Sequence, residues 1–438
     1  MKSAAEGIVR RLTDAGHEAV YAGGCVRDML LEIDPKDYDV ATSARPDEVL
    51  AVFPGGNTIG AHFGVILVKD HGHAVEIATF RTDGDYRDGR RPESVKFATA
   101  KEDAQRRDFT INGMFFDPVT EQVIDHVGGR ADLEAGLIRA IGDPAQRFAE
   151  DYLRLLRAIR FASRFGFEIE ANTWAAIQSE APNISKISPE RIRDELDRIW
   201  TSPAEKRVRG FDLLVDSGLM AAVLPEILDL KGCKQPPQWH PEGDVFVHTR
   251  IMLGMLPDDA SLPLVLSVLF HDIAKPATFS YHPDEDRIRF NGHDKLGAEM
   301  SEDILRRLRY SNEVIEAVYS GVENHMKFKD VQKMRTSKLK RFMARPHFDD
   351  EMELHRVDCG SSNGLLDNYE FLREKAEAFA NEPLIPERLV TGRDLIEQGW
   401  PAGAEMGKVL GEIQDLQLEG TLTTREEALE WLAENRTP

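Results

Sequence analysis

Apolar and polar positions in the first ~140 residues form short runs, VYAGG, DYDVAT, FGVILV and AVEIATF, separated by Gly, Pro and Asp. Such runs predict strands, and the helical stretches between them predict a mixed sheet with helices packed on it. From about Arg147 the period changes. FAEDYLRLLRAIRFASRF carries apolar residues three and four apart, as a half-buried helix requires, and the rest reads as almost wholly helical. A Pro-rich break, Lys234 to Pro241, precedes a fresh apolar helical region that starts near Val245. Beyond about Leu366 the chain is Glu-rich and helical, interrupted by Pro383, Pro386 and Pro401. The expected class is multidomain α+β: a head over 1–140, an all-α neck and body over 141–235, an α-helical domain over 236–365 and a helical tail over 366–438.

Composition sharpens this picture in three ways. A chain of 438 residues, 42% hydrophobic and 30% charged, suffices for two to four units that each bury a core. Its longest apolar run, Leu262 to Phe270 with Pro263 inside, falls far short of the roughly 20 residues a membrane helix needs, so no membrane association is expected. The first residues enter a polar amphipathic pattern without a signal core, which implies the cytoplasm, and Cys25, Cys233 and Cys359 are too few and too distant for a disulfide framework.

A net charge of -21 repels phosphate unless basic residues concentrate locally. Two stretches do so. Arg81, Arg87, Arg90, Arg91, Lys96, Arg106 and Arg107 form one; Lys327, Lys329, Lys333, Arg335, Lys338, Lys340, Arg341 and Arg345 form the other, which is equally compatible with a solvated face.

In GGCVRDMLLEIDPKDYDVAT, Asp37 and Asp39 stand two apart, so on a strand both carboxylates project to one face. Converging carboxylates suit Mg²⁺, which shares its shell between carboxylates, substrate phosphates and water. Gly23 and Gly24 would let backbone N–H groups approach a triphosphate closely. The order Gly-Gly, Val-Arg-Asp, Leu-Leu, Asp-Tyr-Asp resembles the polymerase-β-like nucleotidyltransferases, specifically the class II tRNA nucleotidyltransferases and bacterial poly(A) polymerases. The resemblance continues in order from residue 18 to about 200. It implies a polymerase-β-like head, with Glu76 in VEIATFR as the third acidic residue, although Asp83 and Asp85 lie close by. RRDFTINGMFFD resembles the ribose and triphosphate segment, in which Arg107, Asp108 and Asn112 match the polar positions, as Arg27 does in the first motif. ISPERIRDEL matches the last motif and reads as structural.

Asp151 and Arg154 are three apart, hence on one face of a helix. An acceptor beside a forked donor can read a Watson–Crick edge, because Asp accepts from the exocyclic amine of C or A while Arg donates to the adjacent ring nitrogen. The resemblance implies that Glu150, Asp151 and Arg154 act as a protein template, with Arg157 touching phosphate. It further implies that Asp37, Asp39 and Glu76 hold two Mg²⁺ ions between an RNA 3′-hydroxyl and the α-phosphate of CTP or ATP, and that the tRNA acceptor arm is gripped through phosphates and shape.

A second constellation spans His248, His271-Asp272, His293, His325 and Asp358. These are ligand types that favour a transition metal over Mg²⁺. SVLFHDIAKP resembles the central motif of the HD phosphohydrolases, with the other histidines and Asp358 at the remaining positions. The resemblance implies that His248, His271, Asp272 and Asp358 hold a divalent Mn, Ni, Co or Fe ion, and that His293 and His325 serve a second metal or phosphate. A degenerate tRNA-binding scaffold is the opposing reading. The fused HD domains of some tRNA nucleotidyltransferases suggest phosphatase or cyclic phosphodiesterase action on RNA ends.

Several readings stay open at this level: full CCA addition, CC-only or A-only addition, poly(A) synthesis, or an HD hydrolase with a vestigial head. A charged loop, Thr82 to Pro92, favours CCA or A addition, and the acidic tail disfavours a poly(A) polymerase. Oligomeric state is not encoded in any motif.

Overall fold

The structure is a computed structural model and describes residues 1–58, 61–83 and 95–436. Most of the charged loop, with Asp85, Tyr86, Arg87, Asp88, Arg90 and Arg91, lies outside the described residues. The chain divides into two units, Met1–Leu228 and Asp229–Pro438. No helix among the described residues is long and apolar enough to cross a membrane.

The first unit opens with a helix, Lys2–Asp14, that buries Ala4, Ala5, Ile8, Val9 and Leu12 on one stripe. Eight strands follow: β1 (Ala19–Ala22), β2 (Asp39–Thr42), β3 (Val65–Asp70), β4 (His73–Thr79), β5 (Arg81–Asp83), β6 (Val95–Phe97), β7 (Met114–Asp117) and β8 (Gln122–Asp125). Six of them form one mixed sheet in the order β3-β4-β2-β1-β7-β8, while β5 and β6 pair separately. Only the β2–β4 pairing in that sheet is parallel, with Val40 opposite Ile77. This register sets Asp39 and Glu76, each one residue earlier, side by side. Because Val40 and Ile77 are fully buried, the alternation of a strand turns Asp39 and Glu76 to the other face. Val20, Ala22, Ala41, Phe80, Ala100, Ala104 and Phe115 form a core on the sheet.

Helices complete the unit, with one local exception to the expected all-α neck: Leu137–Ile138 and Glu168–Ile169 form a short parallel pair. The single helix expected over FAEDYLRLLRAIRFASRF is two, Pro144–Glu150 and Leu153–Phe165. Asp151 breaks it by adopting an extended backbone, φ -151 and ψ 102.

A tight approach fixes the turn that carries Asn112. A Cβ added at Gly129 would lie 2.1 Å from the Thr110 carbonyl oxygen, and Thr110 Oγ1 donates to Asp132 Oδ2 at 2.7 Å in the helix that Gly129 starts. Backbone cannot yield as a side-chain tip can. Gly129→Ala is therefore expected to destabilise this unit by roughly 1–3 kcal/mol or more, read as a lower urea midpoint, and an unchanged midpoint would contradict this packing.

The second unit packs the helices Val245–Met255, Leu262–Phe270, His293–Arg307, Asn312–Asn324 and Phe348–Ser361, and adds a hairpin, Ser280–His282 with Arg287–Arg289, to the helical expectation. Its C-terminal helices enclose a core of their own, including Val390, Leu395, Trp400, Ile413 and Leu432. The second basic stretch is largely paired internally. Arg335 and Arg341 both reach Asp415, Arg345 pairs with Glu351, and Lys333 meets Asp330 at 3.0 Å.

Candidate functional site

In the first unit the expected residues converge on a cavity of about 490 Å³. Gly23, Gly24, Arg27, Asp39, Arg107, Asp108, Asn112, Asp151, Arg154 and Arg157 all line it. Gly23 has φ 73, and a Cβ there would lie 2.8 Å from Arg107 Nη1, so only glycine keeps this backbone next to the guanidinium.

A buried network sets the polar wall. Arg27 Nη1 donates to Asn112 Oδ1 at 2.5 Å, Asn112 Nδ2 donates to Asp108 Oδ1 at 3.0 Å, and Arg157 donates twice to Asp108 Oδ2 at 2.8 and 2.6 Å. Burial alone would raise the Asp108 carboxyl, but Arg157 and Asn112 hold it well below the usual carboxylate range. Asp103 likewise fixes Arg106 at 2.8 Å and Arg107 at 3.0 Å.

The acidic side departs slightly from expectation. β2 begins at Asp39, so Asp37 precedes the strand, yet exposure alternates through Asp37, buried Tyr38, Asp39 and buried Val40, which keeps both carboxylates on one side. Asp39 is pushed up to about 6, first by desolvation in the cleft and then by Glu76 and Asp37, against the pull of Arg107. Only Asp39 of the three expected carboxylates lines this cavity, and Asp37, Asp39 and Glu76 do not bring three ligand atoms within 4.8 Å of one another, so they share a face without forming a closed metal cluster; carboxylate oxygens are the donor type that Mg²⁺ takes.

At Asp151 and Arg154, which line the same cavity, the one-face geometry gives way to a helix break. Asp151 accepts from Arg191 Nη2 at 2.7 Å and Nη1 at 3.3 Å, and its Oδ1 accepts from the Leu153 N–H at 3.1 Å. Arg154 Nη1 donates to Glu150 Oε2 at 2.5 Å and to the Arg147 carbonyl at 2.7 Å. Glu150, expected beside the base, instead orients Arg154 and is not part of the cavity lining. Arg160, Arg164 and Arg191 also line the cavity and were not singled out. For Arg160 and Arg164 the signal was their spacing with Arg154 and Arg157, which repeats at helical period; Arg191 had none.

The second unit gathers its histidines from four segments. His271 Nδ1 faces the Val268 carbonyl at 2.8 Å, His293 Nδ1 the Phe290 carbonyl at 2.7 Å and His325 Nδ1 the Val322 carbonyl at 2.6 Å. A ring nitrogen against a carbonyl must carry the proton, so in each neutral ring Nε2 presents a lone pair. His248 differs: a carboxylate faces each ring nitrogen, Glu242 Oε1 2.8 Å from Nδ1 and Asp358 Oδ1 3.1 Å from Nε2, a pairing that favours the charged ring.

These lone pairs converge. His293 Nε2 and His325 Nε2 are 3.1 Å apart, and His271 Nε2 lies 3.1 Å from the Asp272 carboxylate. Facing lone pairs repel one another, and a divalent cation resolves the arrangement, so the donor set fits a metal.

The ligand atoms of His248, His271 and Asp358 lie within 4.8 Å of one another, as do those of Asp272, His293 and His325. Asp272 thus stands between the sets rather than wholly in the first: Oδ2 is 3.1 Å from His271 Nε2, and Oδ1 is 3.4 Å from His293 Nε2. Burial, then His271 and His293, lower His325 to about 4 and keep it neutral. Burial also disfavours charge on His248, yet Asp358 and Glu242 outweigh it and raise this histidine to about 9. His240 and Glu242 form a third group with His248 that the Pro-rich break concealed.

Comparison with known proteins finds matching family models along the chain. Residues 19–139 match the Poly A polymerase head domain, 166–230 the probable RNA and SrmB-binding site of polymerase A, and 245–356 the HD domain. A CCA-adding enzyme of Lactobacillus gasseri is 33% identical over 433 residues, covering 98% of this chain and 96% of that one. Another, from Geobacillus thermodenitrificans, is 44% identical over 214 residues, about half of either chain at 49% and 52%. Among solved structures, the Bacillus stearothermophilus CCA-adding enzyme in complex with CTP superposes with a TM-score of 0.76 at 27% identity, covering 99% of this chain and 96% of that one. The Thermotoga maritima CCA-adding enzyme complexed with tRNA_CCA shares the fold, with a TM-score of 0.60 at 20% identity over 98% of this chain and 94% of that one.

Proposed function

The chain belongs to the CCA-adding enzymes, and from that premise we propose that it adds or repairs the 3′-terminal CCA of tRNA from CTP and ATP without a nucleic-acid template. The observation that carries this reading is one cavity lined by Asp39, the two glycines, Asp151 and Arg154 together. That layout offers a triphosphate site, a base-reading pair and an acidic centre at once.

Each residue has a part in the proposal. Arg107 and Arg157, held rigid by Asp103 and Asp108, neutralise the triphosphate without having to reorganise. Gly23 and Gly24 let the backbone approach it. Asp151, oriented by Arg191, takes the amine of C or A, and Arg154, held by Glu150, donates to the neighbouring ring nitrogen. Asp37, Asp39 and Glu76 would hold Mg²⁺, which when bound supplies charge stabilisation to the reacting phosphate. The acceptor arm of tRNA is the proposed RNA partner and the cytoplasm the proposed compartment. The division into head 1–140, neck and body 141–235, HD domain 236–365 and tail 366–438 remains the proposed domain scheme.

Selectivity tests the reading. Arg154→Ala is expected to reduce discrimination between CTP and UTP in single-turnover addition by roughly tenfold or more. Unchanged discrimination would remove Arg154 from base reading.

We assign the second unit a phosphohydrolase activity, carried by the converging Nε2 lone pairs. His248, His271, Asp272 and Asp358 would hold a divalent Mn, Ni, Co or Fe ion, with His293 and His325 available for a second ion or phosphate. Such an ion supplies Lewis acidity toward water and phosphoryl oxygen.

A further inference from the structure

The Pro-rich break, Lys234 to Pro241, reaches the metal-ligand cluster at both of its ends. Near its start Gln235 is buried, and its Oε1 accepts at 2.6 Å from Lys275 Nζ, the ammonium that pairs with Asp272 Oδ2 at 2.6 Å. Just past its end, Glu242 Oε1 stands 2.8 Å from His248 Nδ1 and 2.9 Å from His240 Nδ1.

One oxygen thus serves two rings, whose centroids are 5.0 Å apart with planes at 85°. A carboxylate oxygen between two imidazole nitrogens accepts from both, so each ring keeps a proton on Nδ1. In His248 this leaves Nε2, 3.1 Å from Asp358 Oδ1, as the atom for an ion. The other neighbour of Nδ1 is weaker. Ser361 Oγ lies 3.3 Å away and gives its own proton to the Asp358 carbonyl at 3.0 Å. His271, His293 and His325 turn the same nitrogen to backbone carbonyls, whereas His248 depends on a side chain. The Glu242 side chain is only 7% exposed. A carboxylate buried to this degree is a poor source of net stability even when paired, so its placement is explained by the ligand it holds.

We infer that Glu242 is a positioning residue for the metal site, holding the His248 ring in the orientation and tautomer that present Nε2 to a divalent ion. The inference rests on the metal reading of the cluster and names a residue beyond its ligands. Without the carboxylate the ring is free to move its proton to Nε2 or to turn about its Cβ–Cγ bond, and either change takes the donor from the site.

The test strips the full chain with EDTA and titrates it with Co²⁺, reading the dissociation constant from the visible absorption of imidazole-bound Co²⁺. Glu242→Ala should weaken binding by about 10–100-fold, and Glu242→Gln, which keeps the shape and an acceptor oxygen but not the charge, by at least about threefold. In a chain already carrying His248→Ala, Glu242→Ala should add less than about threefold, because the histidine through which it acts is gone. The thermal midpoint of each EDTA-treated chain reads the fold separately. Unchanged affinity in either Glu242 variant, or an equal loss with and without His248, overturns the inference and leaves the metal reading in place. Absence of imidazole-bound Co²⁺ in the wild type overturns the metal reading, and the inference with it.

Discussion

Asp39→Ala is expected to slow addition of CMP to a tRNA ending at its discriminator base by at least about 10³-fold, with little change in thermal midpoint. Asp39 stands beside Glu76 across the parallel β2–β4 pair and near Asp37, and its affinity for protons is raised first by desolvation in the cleft and then by those two carboxylates. A divalent cation converts that repulsion into binding free energy. Removing the central ligand forfeits several kcal/mol of charge stabilisation, and about 4 kcal/mol is three decades in rate. Fold stability should not suffer, because the alanine relieves like-charge repulsion at an exposed position. Single-turnover incorporation and a melting curve measure the two effects separately. A variant retaining more than a tenth of the rate would move the acidic centre away from Asp39.

Asp272→Ala is the second large effect, and it combines chemistry with stability. Asp272 is buried, with Lys275 Nζ 2.6 Å from Oδ2 on one side and His293 on the other. The alanine leaves the equally buried Lys275 without its ion-pair partner, although Gln235 still accepts from it at 2.6 Å. Breaking a buried pair from one side costs about 3–5 kcal/mol, so the second unit should unfold at markedly lower denaturant. Metal content per chain should fall and phosphomonoester hydrolysis should drop by at least about 10³-fold. Asp272→Asn keeps the side-chain shape and separates the two causes: it should recover much of the stability and none of the hydrolysis. Full metal content in either variant would exclude Asp272 as a ligand.

The strand pattern disclosed β1, β2 and β4 because short apolar runs bounded by Gly, Pro and Asp mark even four-residue strands, β1 being buried throughout and β2 at its last three positions, and the glycine pair and the acidic pair marked the same end of the sheet. What the pattern could not show was a local backbone choice. Asp151 lies in an unbroken helical period, yet its extended backbone and the reach of Arg191, 40 residues on, decide its geometry. Arg191 looked structural because sequence spacing says nothing of which helix faces which. The hairpin Ser280–His282 with Arg287–Arg289 was hidden because three-residue strands carry too little period. His240 and Glu242 were masked by the prolines around them. The second basic stretch illustrates the converse: its charge was legible, but Asp415 and Glu351 consume much of it.

The most direct test of the central claim is primer extension by the purified chain on one tRNA transcript ending at the discriminator base, at CC or at CCA, supplied with CTP, ATP or both. The account predicts that both unfinished transcripts grow to CCA and stop there, and that the finished one does not grow. Extension from CC alone, arrest after CC or long A tails would each contradict full CCA addition, and no incorporation under any of these conditions would contradict the nucleotidyltransferase reading itself.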